Sequence, residues 1–357
     1  MNILTVVGAR PQFIKAAPVR RALESAGHTE ILVHTGQHYD DALSAAQFRD
    51  LELADPEINL CVGSGRQGAQ TAQMLTGLEE VILEHRPDWV LVYGDTNSTL
   101  AGALAAAKLH VPLAHVEAGQ RSFNRCMAEE VNRVLTDHMS DLLLCSTLTA
   151  RENLAAEGIR AHAYVVGDVM IDALSWVLQR SQTPGARARL GLKSAGYLLV
   201  TLHRAENTDA PARLCAILAA LNELGEPVVF PVHPRTRKAI QALGWAPASH
   251  VCLIEPVGYR EMIELQRDAR LILTDSGGIQ KEAYALGVPC VILREETEWV
   301  EIVDAGWAVL AGADVGRIHA AVRTMTPKTT RAPLHGDGRA AERCVAHLEQ
   351  TRTEGTR

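Results

Sequence analysis

The sequence predicts an α/β protein of two doubly wound parallel-sheet domains facing across a cleft. Three observations lead there. Short apolar runs alternate with longer helical patterns along the whole chain, the signature of βαβ units with right-handed crossovers. The 357 residues, 47% of them apolar, are enough for two domains that each bury a core. Strand after strand ends in a polar, charged or glycine-rich turn, and ligands of open parallel sheets bind beyond the carboxyl ends of their strands.

The strand-like runs are 3–7, 31–34, 90–93, 113–116, 141–145, 163–166, 197–202, 228–232, 251–254, 271–274 and 290–293. Helical patterns separate most of them, among them 12–26, 68–85, 98–108, 129–138, 147–157, 210–224, 260–267 and 278–286. A junction near Gly167-Asp168 assigns residues 1–167 to a first domain carrying acids. Residues 168–337 then form a second domain, opened by a helix over 171–178. The remaining 338–357 form a helix packing back on the first domain. No internal repeat of short period or low-complexity segment interrupts this plan.

The turns at the strand ends expose the candidate site. Gly8-Ala9-Arg10-Pro11 ends the first strand, with Lys15 on the helix beyond. Then come Thr35-Gly36-Gln37-His38-Tyr39, Gly94-Asp95-Thr96-Asn97, Glu117-Ala118-Gly119, His203-Arg204-Ala205-Glu206-Asn207 and His233-Pro234-Arg235. The centre of the chain is Leu271 to Gly287, LILTDSGGIQKEAYALG. There a buried strand breaks at Asp275-Ser276-Gly277-Gly278 and a helix resumes. The glycines leave backbone N–H groups uncovered at a helix start, a site of favourable sign for a phosphate or diphosphate. Glu282, one turn on, lies on a face suited to ligand hydroxyls. Any one of these turns is ordinary capping chemistry, but seven at one rim are not explained by caps alone.

Composition excludes other classes. A net charge of −7 without a long basic run argues against nucleic-acid or anionic-membrane partners. MNILTVVGARP reads as a core strand rather than a signal peptide, and no apolar run is long enough to span a bilayer. The seven cysteines (61, 126, 145, 215, 252, 290 and 344) are scattered without a Cys-x-x-Cys pair. They read as reduced core thiols of a cytosolic protein, not disulfides or zinc ligands. Gly63-Ser64-Gly65-Arg66-Gln67-Gly68 formally fits a dinucleotide fingerprint. It does not come after the first strand, and that strand ends in Gly-Ala-Arg-Pro, so 63–68 reads as a flexible loop rather than a nicotinamide or flavin site.

Asp95, Glu117 and Glu129 supply three carboxylates in the first half, the first two at the ends of adjacent-looking strands. Carboxylates converging in a cleft can exchange protons. The second half, with His203, Arg204, His233 and the Ser-Gly-Gly turn, suits a phosphorylated ligand. Lys15, Arg133 and Arg204 join it as substrate-side cations, with surface ion pairing as the plainer account.

These motifs stand in the order of one family. Val7-Gly8-Ala9-Arg10-Pro11, Thr35-Gly36-Gln37-His38, Tyr93-Gly94-Asp95-Thr96, His115-Val116-Glu117-Ala118-Gly119, Glu129-Glu130-Val131-Asn132-Arg133, His203-Arg204-Ala205-Glu206-Asn207 and Asp275-Ser276-Gly277-Gly278-Ile279-Gln280 resemble the non-hydrolysing UDP-N-acetylglucosamine 2-epimerases nearly end to end. The resemblance implies two Rossmann-like domains in the GT-B arrangement, a homodimer, and interconversion of UDP-GlcNAc and UDP-ManNAc with no metal or nicotinamide. It implies elimination of UDP to a 2-acetamidoglucal and re-addition. Asp95, Glu117 and Glu129 match the family's catalytic acids and His203 the histidine beside the leaving diphosphate. Arg10, Ser276, Gly277 and Gly278 match diphosphate contacts, and Glu282 the ribose-binding carboxylate. Gln37, Arg66 and His233 match positions that bind a second, activating UDP-GlcNAc in some bacterial members.

Gln120, Ala128 and Ala9 depart from the common pattern, which bears on the sugar more than on the reaction. Ala9 to Lys15, ARPQFIK, resembles the branch acting on UDP-2,3-diacetamido-2,3-dideoxyglucuronate. A GT-B glycosyltransferase would share the fold and nucleotide half but has no evident use for three acids in the first domain. A non-catalytic nucleotide-sugar sensor would bind without turnover.

Overall fold

The computed structural model describes residues 1–37, 50–180, 185–327 and 330–355. The chain forms two compact units, one of Met1–Trp176 with His335–Arg357 and one of Val177–Leu334. In chain order, the first begins β1 (Asn2–Val7), α1 (Arg10–Ser25), β2 (Thr29–His34), β3 (Ile58–Asn59), α2 (Gln67–His85), β4 (Trp89–Tyr93) and α3 (Asn97–Lys108). It continues β5 (Leu113–Ala118), α4 (Ala128–Met139), β6 (Leu142–Cys145), α5 (Leu148–Ala156) and β7 (Ala163–Val165), and α6 (Val169–Arg180) starts in the first unit and ends in the second. The second holds α7 (Ala186–Arg189), β8 (Leu198–Thr201), α8 (Ala205–Thr208), α9 (Pro211–Glu223), β9 (Val228–Pro231), α10 (Pro234–Leu243) and β10 (Val251–Ile254). Then come α11 (Tyr259–Arg267), β11 (Leu271–Thr274), α12 (Gly277–Leu286), β12 (Cys290–Ile292), α13 (Val300–Asp304), β13 (Ala308–Leu310) and α14 (Val315–Thr324). The chain returns to the first unit with α15 (Ala340–Gly355), which packs on α1.

Among the described residues the first sheet runs β3-β2-β1-β4-β5-β6-β7 and the second β10-β9-β8-β11-β12-β13, with all neighbours parallel. Each sheet starts in the middle, winds outward, then restarts beside its first strand and winds the other way. The reversal lies between β1 and β4 in one and between β8 and β11 in the other. At such a reversal the loops beyond the strands diverge to opposite faces and open a crevice.

Burial explains why these strands read so plainly. β4, β8, β9 and β11 are buried at every position, as expected for parallel strands covered on both faces. Helix α3 is built of small residues: Ala101, Gly102, Ala103, Ala105 and Ala106 are all buried. A Cβ on Gly102 would come within 3.1 Å of Val92 and 3.2 Å of Val6. This brings the α3 backbone close over β1 and β4, beside the reversal point.

Three expectations are corrected. Strands β3 and β13, edge strands of two and three residues, have no counterpart among the strand-like runs read from the sequence. The loop assigned to 63–68 ends earlier, because Arg66 is the extended N-cap and Gln67 and Gly68 are already helical. Of the cysteines, Cys61, Cys126, Cys215 and Cys252 are exposed, and only Cys145, Cys290 and Cys344 are core thiols. Cys61 lies past the short edge strand with φ 51°, where apolar neighbours do not imply burial. Among the described residues no helix is long and apolar enough to cross a membrane.

Candidate active site

In the first unit the reversal point is built around Gln12, which is 1% exposed. As the third residue of α1 it accepts the Gly8 and Ala9 N–H groups through Oε1, at 2.8 and 3.0 Å. Its amide donates to the Tyr93 carbonyl at 2.8 Å and to Thr99 Oγ1 at 3.0 Å. One side chain thus fixes the ends of β1 and β4 against each other. Gly8 has no room for a methyl group, because a Cβ there would overlap Ser98 Oγ and Thr35 Oγ1. Pro11 sits in the first turn of α1, where its missing N–H is no loss. Arg10 opens this helix, but its side chain lies outside the described residues, as do His38 and Tyr39.

The predicted acids gather at the neighbouring strand ends. Glu117 adopts φ 72°, where the β5–β6 register slips between Val116 and Ala118. A non-glycine residue held there stores ~1–3 kcal/mol of strain, a feature that clusters at functional sites. Its carboxylate forms an ion pair with Lys15, and both side chains are only 10% exposed. Both groups lie over Gly94, whose added Cβ would meet Lys15 Nζ at 3.0 Å and Glu117 Oε2 at 3.2 Å. Asp95 comes next in the chain, its carboxylate 3.0 Å from Arg133 Nη2 and its carbonyl 3.0 Å from Asn132 Nδ2.

Glu129 and Glu130 form the first turn of α4 but differ in surroundings. Glu129 is half-buried, and its carbonyl accepts from Arg133 Nε at 3.2 Å. Glu130 is 3% exposed and holds the preceding loop by accepting the Ser122 and Phe123 N–H groups, both at 2.9 Å.

Behind these residues lies a buried charge network that the sequence does not single out. His115 Nδ1 is 2.7 Å from Asp137 Oδ1, and Nε2 is 2.8 Å from the Gly94 carbonyl. Asp137 Oδ2 accepts from the Gly119 N–H at 3.1 Å and Arg121 Nη1 at 2.7 Å. Arg121 also pairs with Glu157 at 2.7 Å. Burial alone would raise the Asp137 carboxyl, but His115 and then Arg121 outweigh it and hold it below the usual carboxylate range. His115 stands inside the motif that carries Glu117. Nothing local marks Asp137, 22 residues away.

The second unit repeats the plan at β8 and β11. Fully buried Asp275 accepts the His203 N–H at 3.1 Å and the Arg204 N–H at 3.0 Å, and is 3.2 Å from Asn207 Nδ2. The Ser276 side chain caps α12 by facing the Ile279 N–H. Ser276, Gly277 and Gly278 are half-buried, so the first amides of a ten-residue helix meet an open rim with the dipole sign an anion requires. A Cβ on Gly277 would meet Trp299 Nε1 at 3.1 Å. Glu282 is 3% exposed and accepts from Gln266 Nε2 at 2.7 Å; Lys281 beside it lies 4.2 Å over the Trp299 ring.

The three remaining sequence candidates fall in different places. His233 N-caps α10 and stands beside His203, ring centroids 6.1 Å apart. Gln37 Oε1 accepts from the Ser98 N–H at 3.1 Å and its hydroxyl at 2.6 Å. Arg66 is exposed at the start of α2. Gln70 links that loop inward, donating to the Gly63 carbonyl at 2.7 Å and accepting from Asn97 at 2.9 Å.

Two parallel sheets wound in the same sense, each with polar groups at its reversal point, define a doubly wound α/β protein with the ligand crevices of that class. The UDP-N-acetylglucosamine 2-epimerase family matches residues 21–349. A UDP-2,3-diacetamido-2,3-dideoxy-D-glucuronate 2-epimerase of Pseudomonas aeruginosa is 51% identical, over 98% of this chain and 99% of that protein. The crystal structure of the Methanocaldococcus jannaschii UDP-GlcNAc 2-epimerase, in complex with UDP-GlcNAc and UDP, superposes with a TM-score of 0.92 at 41% identity, over 98% of this chain and 100% of that one. A spinosyn rhamnosyltransferase shares the fold alone, with a TM-score of 0.54 at 17% identity, over 98% of this chain and 96% of that one. The chain belongs to the UDP-N-acetylglucosamine 2-epimerase family, whose members are isomerases with the GT-B-like fold.

Proposed function

We propose that the protein inverts C2 of a UDP-linked 2-acetamido sugar by eliminating UDP across C1–C2 and adding it back. The C2 hydrogen is not acidic enough for simple exchange. A base takes it as the C1–O bond to UDP breaks, leaving a 2-acetamidoglucal. UDP then re-adds at C1 while an acid delivers a proton to the other face of C2. The observation that carries this reading is the pair of cation-held carboxylates, Asp95 with Arg133 and Glu117 with Lys15, at the ends of neighbouring strands. Glu129 is the third acid of the set. His203, Arg10 and the amides of Ser276, Gly277 and Gly278 stabilise the departing diphosphate, and Glu282 takes the ribose hydroxyls.

With UDP-GlcNAc as substrate the product is UDP-ManNAc. The identity to the Pseudomonas aeruginosa protein favours a second reading in which the sugar is UDP-2,3-diacetamido-2,3-dideoxyglucuronate, and the Ala9 to Lys15 segment agrees with it. The same proposal carries a homodimer. Incubating the enzyme with each nucleotide sugar in D₂O, then recording proton NMR, tests the reaction and ranks the substrates. Loss of the H2 signal with growth of a second anomeric resonance is expected. No exchange with either sugar refutes the epimerase reading.

A further inference from the structure

Among the described residues the His115 ring has two hydrogen-bond partners, and both are acceptors. The Gly94 carbonyl, 2.8 Å from Nε2, has no proton to give. Asp137, 2.7 Å from Nδ1, takes the Gly119 N–H and the Arg121 guanidinium on its other oxygen, which only a carboxylate does well. The ring is thereby held between a strand-end carbonyl and a buried carboxylate. His115 and Asp137 are 0% and 1% exposed, so neither reaches a substrate.

Their contacts converge on the two turns that present the candidate acids. Through His115, Asp137 fixes the carbonyl of Gly94, the residue before Asp95. Directly, it fixes the N–H of Gly119, two residues after Glu117. Both glycines have positive φ, 64° and 79°, and Glu117, next to last in β5, is at 72°. These turns are not conformations the chain adopts unaided. From the same helix, Asn132 holds the Asp95 carbonyl at 3.0 Å, so the Gly94–Asp95 segment is gripped at two successive carbonyls.

We propose that the buried His115–Asp137 pair is a positioning element that sets the geometry of Asp95 and Glu117 together. The pair moves no proton in the reaction. It joins two strand ends to one carboxylate so that the acids keep a fixed separation; losing Asp137 releases both turns, and losing His115 releases the Gly94 turn. Proton transfer is sensitive to displacements of an ångström or less, so the effect falls on turnover rather than on nucleotide binding. This proposal rests on reading Asp95 and Glu117 as the acids.

The test has two arms. The first uses the unaltered protein with ¹⁵N-labelled histidine. A slowly exchanging His115 Nδ1–H resonance, shifted downfield by its hydrogen bond to Asp137, is expected, and its absence overturns the proposal whether or not any variant folds. The second compares His115→Phe and Asp137→Asn with Asp95→Asn and Glu117→Gln in the NMR exchange assay. For the positioning variants that fold, kcat should drop about 10- to 100-fold with KM and UDP affinity within about two-fold of the parent. If Asp95→Asn and Glu117→Gln abolish turnover while folded His115→Phe and Asp137→Asn keep the parental kcat, the positioning role is refuted and the reading of the acids stands. If Asp95→Asn and Glu117→Gln both keep the parental kcat, the reading of the acids fails and the positioning role with it.

Discussion

Asp275, at the end of β11, anchors His203 at the end of β8: both carboxylate oxygens lie 3.1 Å from the His203 N–H, and Oδ1 is 3.4 Å from Nδ1 of its ring. One fully buried acid therefore fixes both the backbone and the ring of the residue proposed to meet the diphosphate. Asp275→Ala would leave the His203 and Arg204 N–H groups without their acceptor. Loss of one such buried partner destabilises by ~1–3 kcal/mol. UDP affinity should weaken about ten-fold, which corresponds to ~1.4 kcal/mol. Calorimetric UDP titration and thermal unfolding check both, and parental values in each would remove Asp275 from the site.

The acids make a separate prediction. Asp95→Asn, Glu117→Gln and Glu129→Gln should each lower turnover by at least ~100-fold if that residue transfers a proton. UDP binding should change far less, because its proposed contacts are His203, Arg10 and the α12 amides. Steady-state rates beside UDP titrations separate the two effects. Near-parental turnover in all three variants would mean the proton comes and goes elsewhere.

Glu30 predicts a pH dependence of stability. It is buried in β2, takes a 2.5 Å hydrogen bond from Thr5, and shares Arg20 with Glu24 and Glu57. Burial first, with the nearby charges of Glu57 and Glu24, pushes its carboxyl up to about 7 against the opposing pull of Thr5 and Arg20. An unfolded glutamate titrates near 4.5, so the folded state binds the proton more tightly. The stability gained is complete below that value and is lost as pH rises through 7. The gap corresponds to on the order of 3 kcal/mol. Glu30→Gln should therefore melt higher than the parent at pH 8.5, with the difference closing at pH 5. An equal difference at both pH values would mean that Glu30 is ionised in the folded protein throughout.

Two glycines should respond oppositely to one added methyl. Gly8→Ala forces a Cβ into Ser98 and Thr35 at the most tightly tied turn of the first unit, and overpacking of this kind destabilises by ~1–3 kcal/mol. Gly68 has nothing within 4 Å of its Cβ position and lies in the first turn of α2. Gly68→Ala should raise stability by ~0.5–1 kcal/mol without loss of turnover. A loss of turnover in Gly68→Ala alone would show that the glycine-rich stretch approaches a ligand after all.

The sequence revealed most where a residue's role is local. β4 and β11 are legible because every position is buried, and Asp95 and Glu117 because they stand directly beyond apolar runs. Gln12 and Asp137 were not legible. Gln12 is defined by a bond to Tyr93, 81 residues on, and Asp137 by one to His115, 22 residues back. The Glu129-Glu130 pair shows the same limit. Two identical side chains open one helix, yet only the folded chain shows Glu130 holding Ser122 and Phe123 while Glu129 stands half-buried beside them.

Gln37, Arg66 and His233 are proposed to receive a second UDP-GlcNAc that activates the enzyme. The expected sign is a lag in the UDP-ManNAc to UDP-GlcNAc direction that a trace of UDP-GlcNAc removes. Arg66→Ala should abolish that response. Progress curves without a lag in the unmodified enzyme would leave Arg66 a surface residue.

The return of α15 to the first unit has a consequence during synthesis. That unit is not contiguous: Ala340, Ala341, Cys344 and Leu348 are buried, yet they are synthesised only after the whole of the second unit. Until then the face of α1 that α15 covers stays wet, and the Ala340 and Ala341 N–H groups, at 3.2 and 2.7 Å, have not met Asp172. The Val177–Leu334 unit is one uninterrupted stretch with every strand of its sheet in hand earlier. The half of the molecule translated first is therefore the half completed last, and a nascent chain stalled before residue 335 presents a finished second unit behind an open first one.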